Sequence, residues 1–409
     1  MKDTFILLFV AIIGIHSCKA QDLPVLGSDG YINLEGKGTA VGDGFSMTSV
    51  SCPHLQVDDV TGICYSTWMT HPTEYGEHHG YLSLFMFPGS QPFKCETYPI
   101  AAIGDSDENN KQIDGIPYES NCLIYYKDKE RRQPVVRCFF TTEGISLYYR
   151  DFDPVTRSFM SKARRVAVLI ENNELIPVTG PVIKEWANQH GGNWSITNRL
   201  LFTDYLQTNN NIWNDGSFIY SVITGEDANC TPVIVKSDDY FATLRLVAVN
   251  PMPTRYECQM SKLGDTFYFL YRINYKGEKG IKFNTSRDLK NYSTSFSISN
   301  SLDERAQILN YNGNIYLVIP TNDCPNPVKD LRRAYHIYKG IGDSVLEYKD
   351  ILWFVNRFGL VYLSTNIING RLFMCYSTNM MMLGDNVNSS SNEGKSTGMF
   401  YLLHNFYEE

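Results

Sequence analysis

The stretch Glu257–Ser293, ECQMSKLGDTFYFLYRINYKGEKGIKFNTSRDLKNYS, reads as one compact antiparallel unit. Thr266 to Ile273 is an aromatic-rich run of the kind that lies well on a pleated sheet. It is entered through a turn at Leu263-Gly264-Asp265 and left through a second at Lys276-Gly277-Glu278. Gly280 to Asn284 then runs back, and the unit closes on Ser286-x-Asp288. An Asp there accepts amide hydrogen bonds from its own turn.

The same grammar spreads along the chain. Strand signals fall at Val60–Trp68 and Tyr81–Phe87, and then at Cys122–Tyr126, Val135–Thr141 and Ile145–Tyr149. They continue at Arg165–Ile170, Leu175–Val178, Ser217–Ile223, Pro232–Lys236 and Thr243–Val249. Near the end, Ala306–Leu309 and Asn314–Ile319 are joined by Asn312-Gly313, and Leu360–Ser364 and Arg371–Tyr376 by Asn369-Gly370. Asn-Gly is the strongest short-range signal for a two-residue hairpin turn. Pro181 to Gln189 is the one short helical pattern. Groups of three or four strands recur about every 45–60 residues, with no Pro-, Gly- or Ser-rich linker between them. A long antiparallel chain has to hide its sheet edges, and radial repetition does so. The expectation is an all-β, six-bladed β-propeller spanning 21–409 as one domain, with a pair of β-sandwiches as the rival.

Composition agrees with an all-β reading: 27 Tyr and 22 Phe stand against 5 Trp. The formal charge of -8 argues against a nucleic-acid partner, which calls for a basic surface to displace counterions. Residues 1–20, with the apolar run Phe5–Ile15 and small residues before Ala20, read as an export signal cut after Ala20. That run is too short to span a bilayer, which takes about 20 residues. Acylation at Cys18 is the competing reading of the same segment. A secreted protein that does not span a membrane is expected.

Nine cysteines follow the signal, and export makes disulfides the expectation, with at least one thiol left over. Sequons at Asn193, Asn229, Asn284, Asn291 and Asn388 mark expected glycan-bearing, water-facing loops. There is no Cys-x-x-Cys pair and no His cluster at ligand spacing, so no metal or cofactor is expected.

The Glu257–Ser293 unit resembles a blade of the sialidase superfamily. There a Glu precedes a strand ending in Arg, and the blade closes with an Asp-box, Ser-x-Asp-x-Gly-x-Thr-Trp. Ser286 and Asp288 supply the box; Lys290 replaces the Gly, and the aromatic comes one place early as Tyr292. A second segment, GLVYLSTNIINGRLFMCYSTN at Gly359–Asn379, is similar to the one carrying the family's nucleophilic Tyr, and Tyr362 falls at that place. Between them, Asp330-Leu331-Arg332-Arg333 leads into a strand where the family has a carboxylate-binding Arg. Arg333 is the candidate and Arg332 the fallback.

The resemblance implies a site with a definite logic. Guanidinium groups of Arg272 and Arg333 would clamp the carboxylate of a sialic acid by paired, charge-assisted hydrogen bonds. Tyr362 would be the nucleophile and Glu257 its base, since a neutral phenol is not repelled by the substrate's own charge. The first blade departs from the pattern. Ser51-Cys52-Pro53 stands where the family has Arg-Ile-Pro, and the expected acid Asp is missing, leaving Glu74 or Glu77 as substitutes. Three functions are compatible with this: a protein that binds sialylated or other acidic glycans through a partly degenerate site; an active exo-sialidase using Tyr362; and a propeller that binds a surface protein without catalysis.

Overall fold

The structure, a computed structural model, describes residues 31–33, 39–41, 50–58, 60–70, 81–89, 96–115, 117–127, 132–142, 146–170, 173–195, 200–202, 218–225, 230–254, 257–275, 277–321, 334–341, 345–354, 359–368, 371–379 and 396–405. The export signal, Cys18, Glu74, Glu77, Arg332 and Arg333 lie outside these residues.

Short β1 (Tyr31–Asn33) and β2 (Thr39–Val41) precede the first sheet, which is β3 (Val50–Asp58), β4 (Ile63–Thr70), β5 (Tyr81–Pro88) and β6 (Glu96–Ala102). The second sheet is β7 (Pro117–Lys127), β8 (Pro134–Thr142), β9 (Leu147–Asp153) and β10 (Ser158–Phe159), with β11 (Arg164–Arg165) also on β9. The third holds β12 (Ala167–Leu169) and β13 (Leu175–Pro177), then, after helix α1 (Gly180–Gln189), β14 (Leu200–Phe202), β15 (Ile219–Gly225), β16 (Val233–Ser237) and β17 (Thr243–Val249). The fourth is β18 (Cys258–Leu263), β19 (Thr266–Tyr275), β20 (Glu278–Ser286) and β21 (Phe296–Ser297). The fifth is β22 (Gln307–Tyr311), β23 (Asn314–Thr321), β24 (Ala334–Ile341) and β25 (Val345–Phe354), extended by β2 and β1. The last is β26 (Gly359–Ile368), β27 (Arg371–Asn379) and β28 (Ser396–Asn405).

The sheets form a closed ring. β3 packs on β7, β7 on β14, β15 on β18, β18 on β22, β22 on β26, and β26 returns to β3. The core is divided accordingly into six apolar wedges, each between two neighbouring sheets. One wedge joins Leu55, Trp68 and Phe85 of the first sheet to Phe373 and Cys375 of the last, so the two ends of the ring share a core. This is a β-propeller and not a pair of sandwiches, whose core would be a single layer between two sheets. Polar groups fasten neighbouring inner strands. Ser364 Oγ accepts the Leu55 amide at 3.0 Å, and Gln259 Oε1 accepts the Ile308 amide at 2.8 Å.

Five sheets carry the four or more strands of a propeller blade, and the last has three. The expectation of six blades is corrected to five complete ones. No fourth strand joins β26-β27-β28 among the described residues. The expected disulfides are corrected for the described residues. Cys64, Cys122, Cys138, Cys230, Cys258 and Cys375 form no disulfide and are buried, each in an inter-sheet wedge where it serves as a small apolar side chain, while Cys95 and Cys324 lie outside the described residues. Burial pushes the Cys64, Cys138 and Cys258 thiols up, away from the reactive thiolate.

Local signals account for much of the rest. Asn312 and Gly313 both take positive φ, 46° and 72°, in the β22–β23 hairpin. Helix α1 starts from Thr179, whose hydroxyl accepts the Val182 amide at 3.5 Å. The Asp-box does what its spacing implies: Asp288 Oδ1 accepts the Lys290 and Asn291 amides at 2.9 and 2.7 Å, and Ser286 Oγ accepts Leu289 N at 2.9 Å. The turn leading to the fourth strand is built this way in two more sheets. In the third, Asp239 accepts Thr243 N at 2.9 Å while Ser237 Oγ accepts Phe241 N at 2.9 Å. In the second, Asp153 accepts Val155 N at 2.8 Å. Of the sequons, Asn193 and Asn291 face water, whereas Asn284 is 2% exposed and accepts the Tyr271 hydroxyl at 2.7 Å. The Asn284 expectation is therefore corrected.

Two predictions follow from these turns and sequons. Amides of Asn291 and Lys290 hold the Asp288 carboxyl down at about 2, below its usual 3.8. Its contribution is therefore present above pH 3.8 and fades as pH falls toward 2. The Tm deficit of Asp288→Ala against the parent protein, measured from pH 6 down to pH 2, should shrink across that window. When the protein is produced through a eukaryotic secretory pathway, peptide mass spectrometry should find glycan at Asn193 or Asn291 and none at Asn284.

Candidate functional site

Inner strands of the ring run in one direction, so their first residues collect at one end. The level is fixed by cross-ring contacts: Leu55 bonds to Ser364, His54 to Arg305, and Glu257 lies beside Arg305. Ser51 and Tyr362 occupy earlier positions on β3 and β26, so their backbones stand toward that same end. The strand pairing slips by one residue between Leu360 and Tyr362. The Tyr362 side chain lies outside the described residues.

Glu257 and Arg272 are brought together on the fourth sheet. The Arg272 amide donates to the Glu257 carbonyl at 3.0 Å, pairing the two across β18 and β19. Their side chains then meet: Arg272 Nη1 donates to Glu257 Oε2 at 2.8 Å. Two further acids, which the sequence reading passed over, complete the surroundings. Arg272 Nε donates to Asp303 Oδ1 at 2.8 Å, and Nη2 lies 3.8 Å from Glu304 Oε1. Asn274 Nδ2 donates to the other Asp303 oxygen at 2.5 Å. Burial opposes the charge on Arg272, but Glu257 and Glu304 nearby, with the hydrogen bonds to Asp303 and Glu257, outweigh it and raise its affinity for the proton.

Arg305 extends the network across the ring. Its Nε lies 3.8 Å from Glu257 Oε1, and its Nη2 is 3.1 Å from His54 Nε2. A guanidinium offers only donors, so His54 Nε2 is the acceptor and the imidazole is neutral with its proton on Nδ1. Glu257, Glu304, Arg305 and His54 are all buried. Three acids and two arginines from the fourth and fifth sheets thus lean on a histidine of the first.

This arrangement limits what Arg272 can do. Two of its donors, Nε and Nη1, are already committed to protein carboxylates, and its side chain is 14% exposed. The adjoining cavity, lined by Glu257, Gln259, Tyr271, Arg272 and Ala306 among others, has room for about one water at roughly 10 Å³. Among the described residues no group of three or more His, Cys, Asp or Glu side chains is placed to hold a metal ion. The acids at this site surround a guanidinium instead. No described helix is long and apolar enough to cross a membrane.

Solved structures share the architecture, and together with the ring they identify the chain as a divergent propeller of the sialidase fold. The intramolecular trans-sialidase from Ruminococcus gnavus superposes with a TM-score of 0.51 at 13% identity, over 87% of this chain and 94% of that one. The Hadza microbial sialidase Hz136 gives 0.54 at 14% identity, over 87% of this chain and 65% of its own. A Trypanosoma rangeli sialidase variant with trans-sialidase activity gives 0.52 at 8% identity, over 92% of this chain and 59% of its own. No protein-family model matches the sequence, and no curated protein matches it at a significant level.

Removing one member of a buried ionic network strands its partners, a cost of about 3–5 kcal/mol. Arg272→Ala should lower unfolding free energy by that order in urea titrations. Asn274→Ala, which removes only a hydrogen bond to Asp303, should cost about 1–2 kcal/mol.

Proposed function

We propose that the protein is exported and binds sialylated or other acidic glycans at the end of the ring where Glu257, Arg272 and Tyr362 gather, without turning them over. The observation that carries this reading is the state of Arg272. The sequence resemblance gives it the place of a carboxylate-binding arginine, yet protein carboxylates already take two of its donors. With Ser51 in place of the first clamp residue, the charge stabilisation that turnover demands is incomplete. Binding would fall to Arg333, to Tyr362, and to Arg272 after exchange of a protein carboxylate for the ligand's.

The same engagement of Arg272 favours a second reading, a propeller that uses its faces to bind a surface protein. A sialoglycan array and a fluorogenic sialoside assay separate the possibilities. The expected result is array binding that Arg333→Ala weakens about tenfold or more, with no sialoside hydrolysis above a Tyr362→Phe control. Hydrolysis that Tyr362→Phe abolishes would establish an active exo-sialidase with Glu257 as base and Glu74 or Glu77 as acid. Absence of binding to every sialoglycan would leave the protein-binding reading.

A further inference from the structure

We infer a second binding site, for an anionic saccharide, on the third and fourth sheets at the end of the ring opposite Glu257 and Arg272. It is built by register. Tyr220 on β15 pairs with Lys236 on β16, and Lys236 pairs with Arg245 on β17, so the three side chains share one face of the sheet. Phe218 stands two residues before Tyr220 and is exposed. Lys236 Nζ lies 4.3 Å from the centre of the Phe218 ring, and the Arg245 guanidinium lies 5.6 Å from it. From the fourth sheet, Lys262 Nζ reaches to 5.4 Å from the Tyr220 ring.

The position is separate from the acidic cluster. Glu257 immediately precedes β18 and Lys262 lies near its far end, five residues on, about 16 Å at the usual rise of a strand. The charge is also out of keeping with the chain as a whole. Three cations converge here in a protein of net charge -8, and among the described residues the acid paired with them, Asp238, lies 3.9 Å from Arg245 with both side chains nearly half exposed.

The chemistry selects the ligand class. A cation lying over a ring keeps its outward N–H donors free for an anion. An exposed aromatic ring beside them offers a flat apolar surface. A pyranose bearing a carboxylate or a sulfate ester presents both counterparts, an apolar C–H face and an anion at its rim. Neighbouring strands lie about 4.8 Å apart, so Lys236 and Arg245 present two positive groups side by side to one chain of such sugars. An acidic peptide would use the cations and leave the ring idle.

The test measures retention on immobilised heparin and on polysialic acid, with neutral dextran as control and poly-glutamate as competitor. The parent protein should be held by the two anionic saccharides and not by dextran, and release should come with rising salt as screening shortens. Phe218→Ala and Arg245→Gln should each weaken binding about five- to tenfold, while array binding lost in Arg333→Ala stays unchanged in both. Failure to bind either saccharide at low salt, or binding indifferent to both substitutions, would overturn the assignment. Poly-glutamate competing as well as the saccharides, with Phe218→Ala neutral, would overturn it in favour of an acidic peptide.

Discussion

Closure of the ring is the constraint on which everything else rests. Each wedge of core belongs to two sheets, so no sheet owns a core and none can bury its faces alone. The clasp is the meeting of the last sheet with the first, where Phe373 and Cys375 enter the cluster around Trp68 and Ser364 takes the Leu55 amide. Closure also gathers the first residues of distant inner strands at one end. Residues 251 positions apart, His54 and Arg305, touch for that reason alone.

The ionic cluster at that end can be understood as a consequence. Arg272 supplies donors in three directions to acids from two sheets, and Arg305 carries the connection to a third. Such a network is a poor source of net stability, because desolvating the charges costs about what their attraction returns. Its effect is geometric: each acid accepts only one orientation of the guanidinium it holds, and the relative placement of neighbouring sheets is fixed with it.

Much of the fold was legible in local patterns. The Asn312-Gly313 turn, the helix at Pro181–Gln189 and the Ser286–Asp288 box all follow from residues within a few places of one another. The equivalent turns at Ser237–Asp239 and Asp153 escaped notice because Phe241 and Arg157 take the left-handed backbone that a glycine would have advertised. The family pattern singled out Glu257 and Arg272 as a base and a clamp, but not the ion pair between them. Asp303, Glu304 and Arg305 were not legible, since three adjacent charges read as a solvated turn until a neighbouring sheet covers them. The cysteines and Asn284 misled for the opposite reason: types that suit an exported surface are here inside the wedges.

The fifth sheet ends on strands from the other extremity of the chain, with β2 lying parallel to β25 through Thr39 and Leu352. During synthesis, an early segment must therefore wait for a partner made roughly 300 residues later, and the entropy of closing that long loop falls on the final stage of assembly. A ribosome-bound intermediate would carry this arm unpaired after the first sheets had formed.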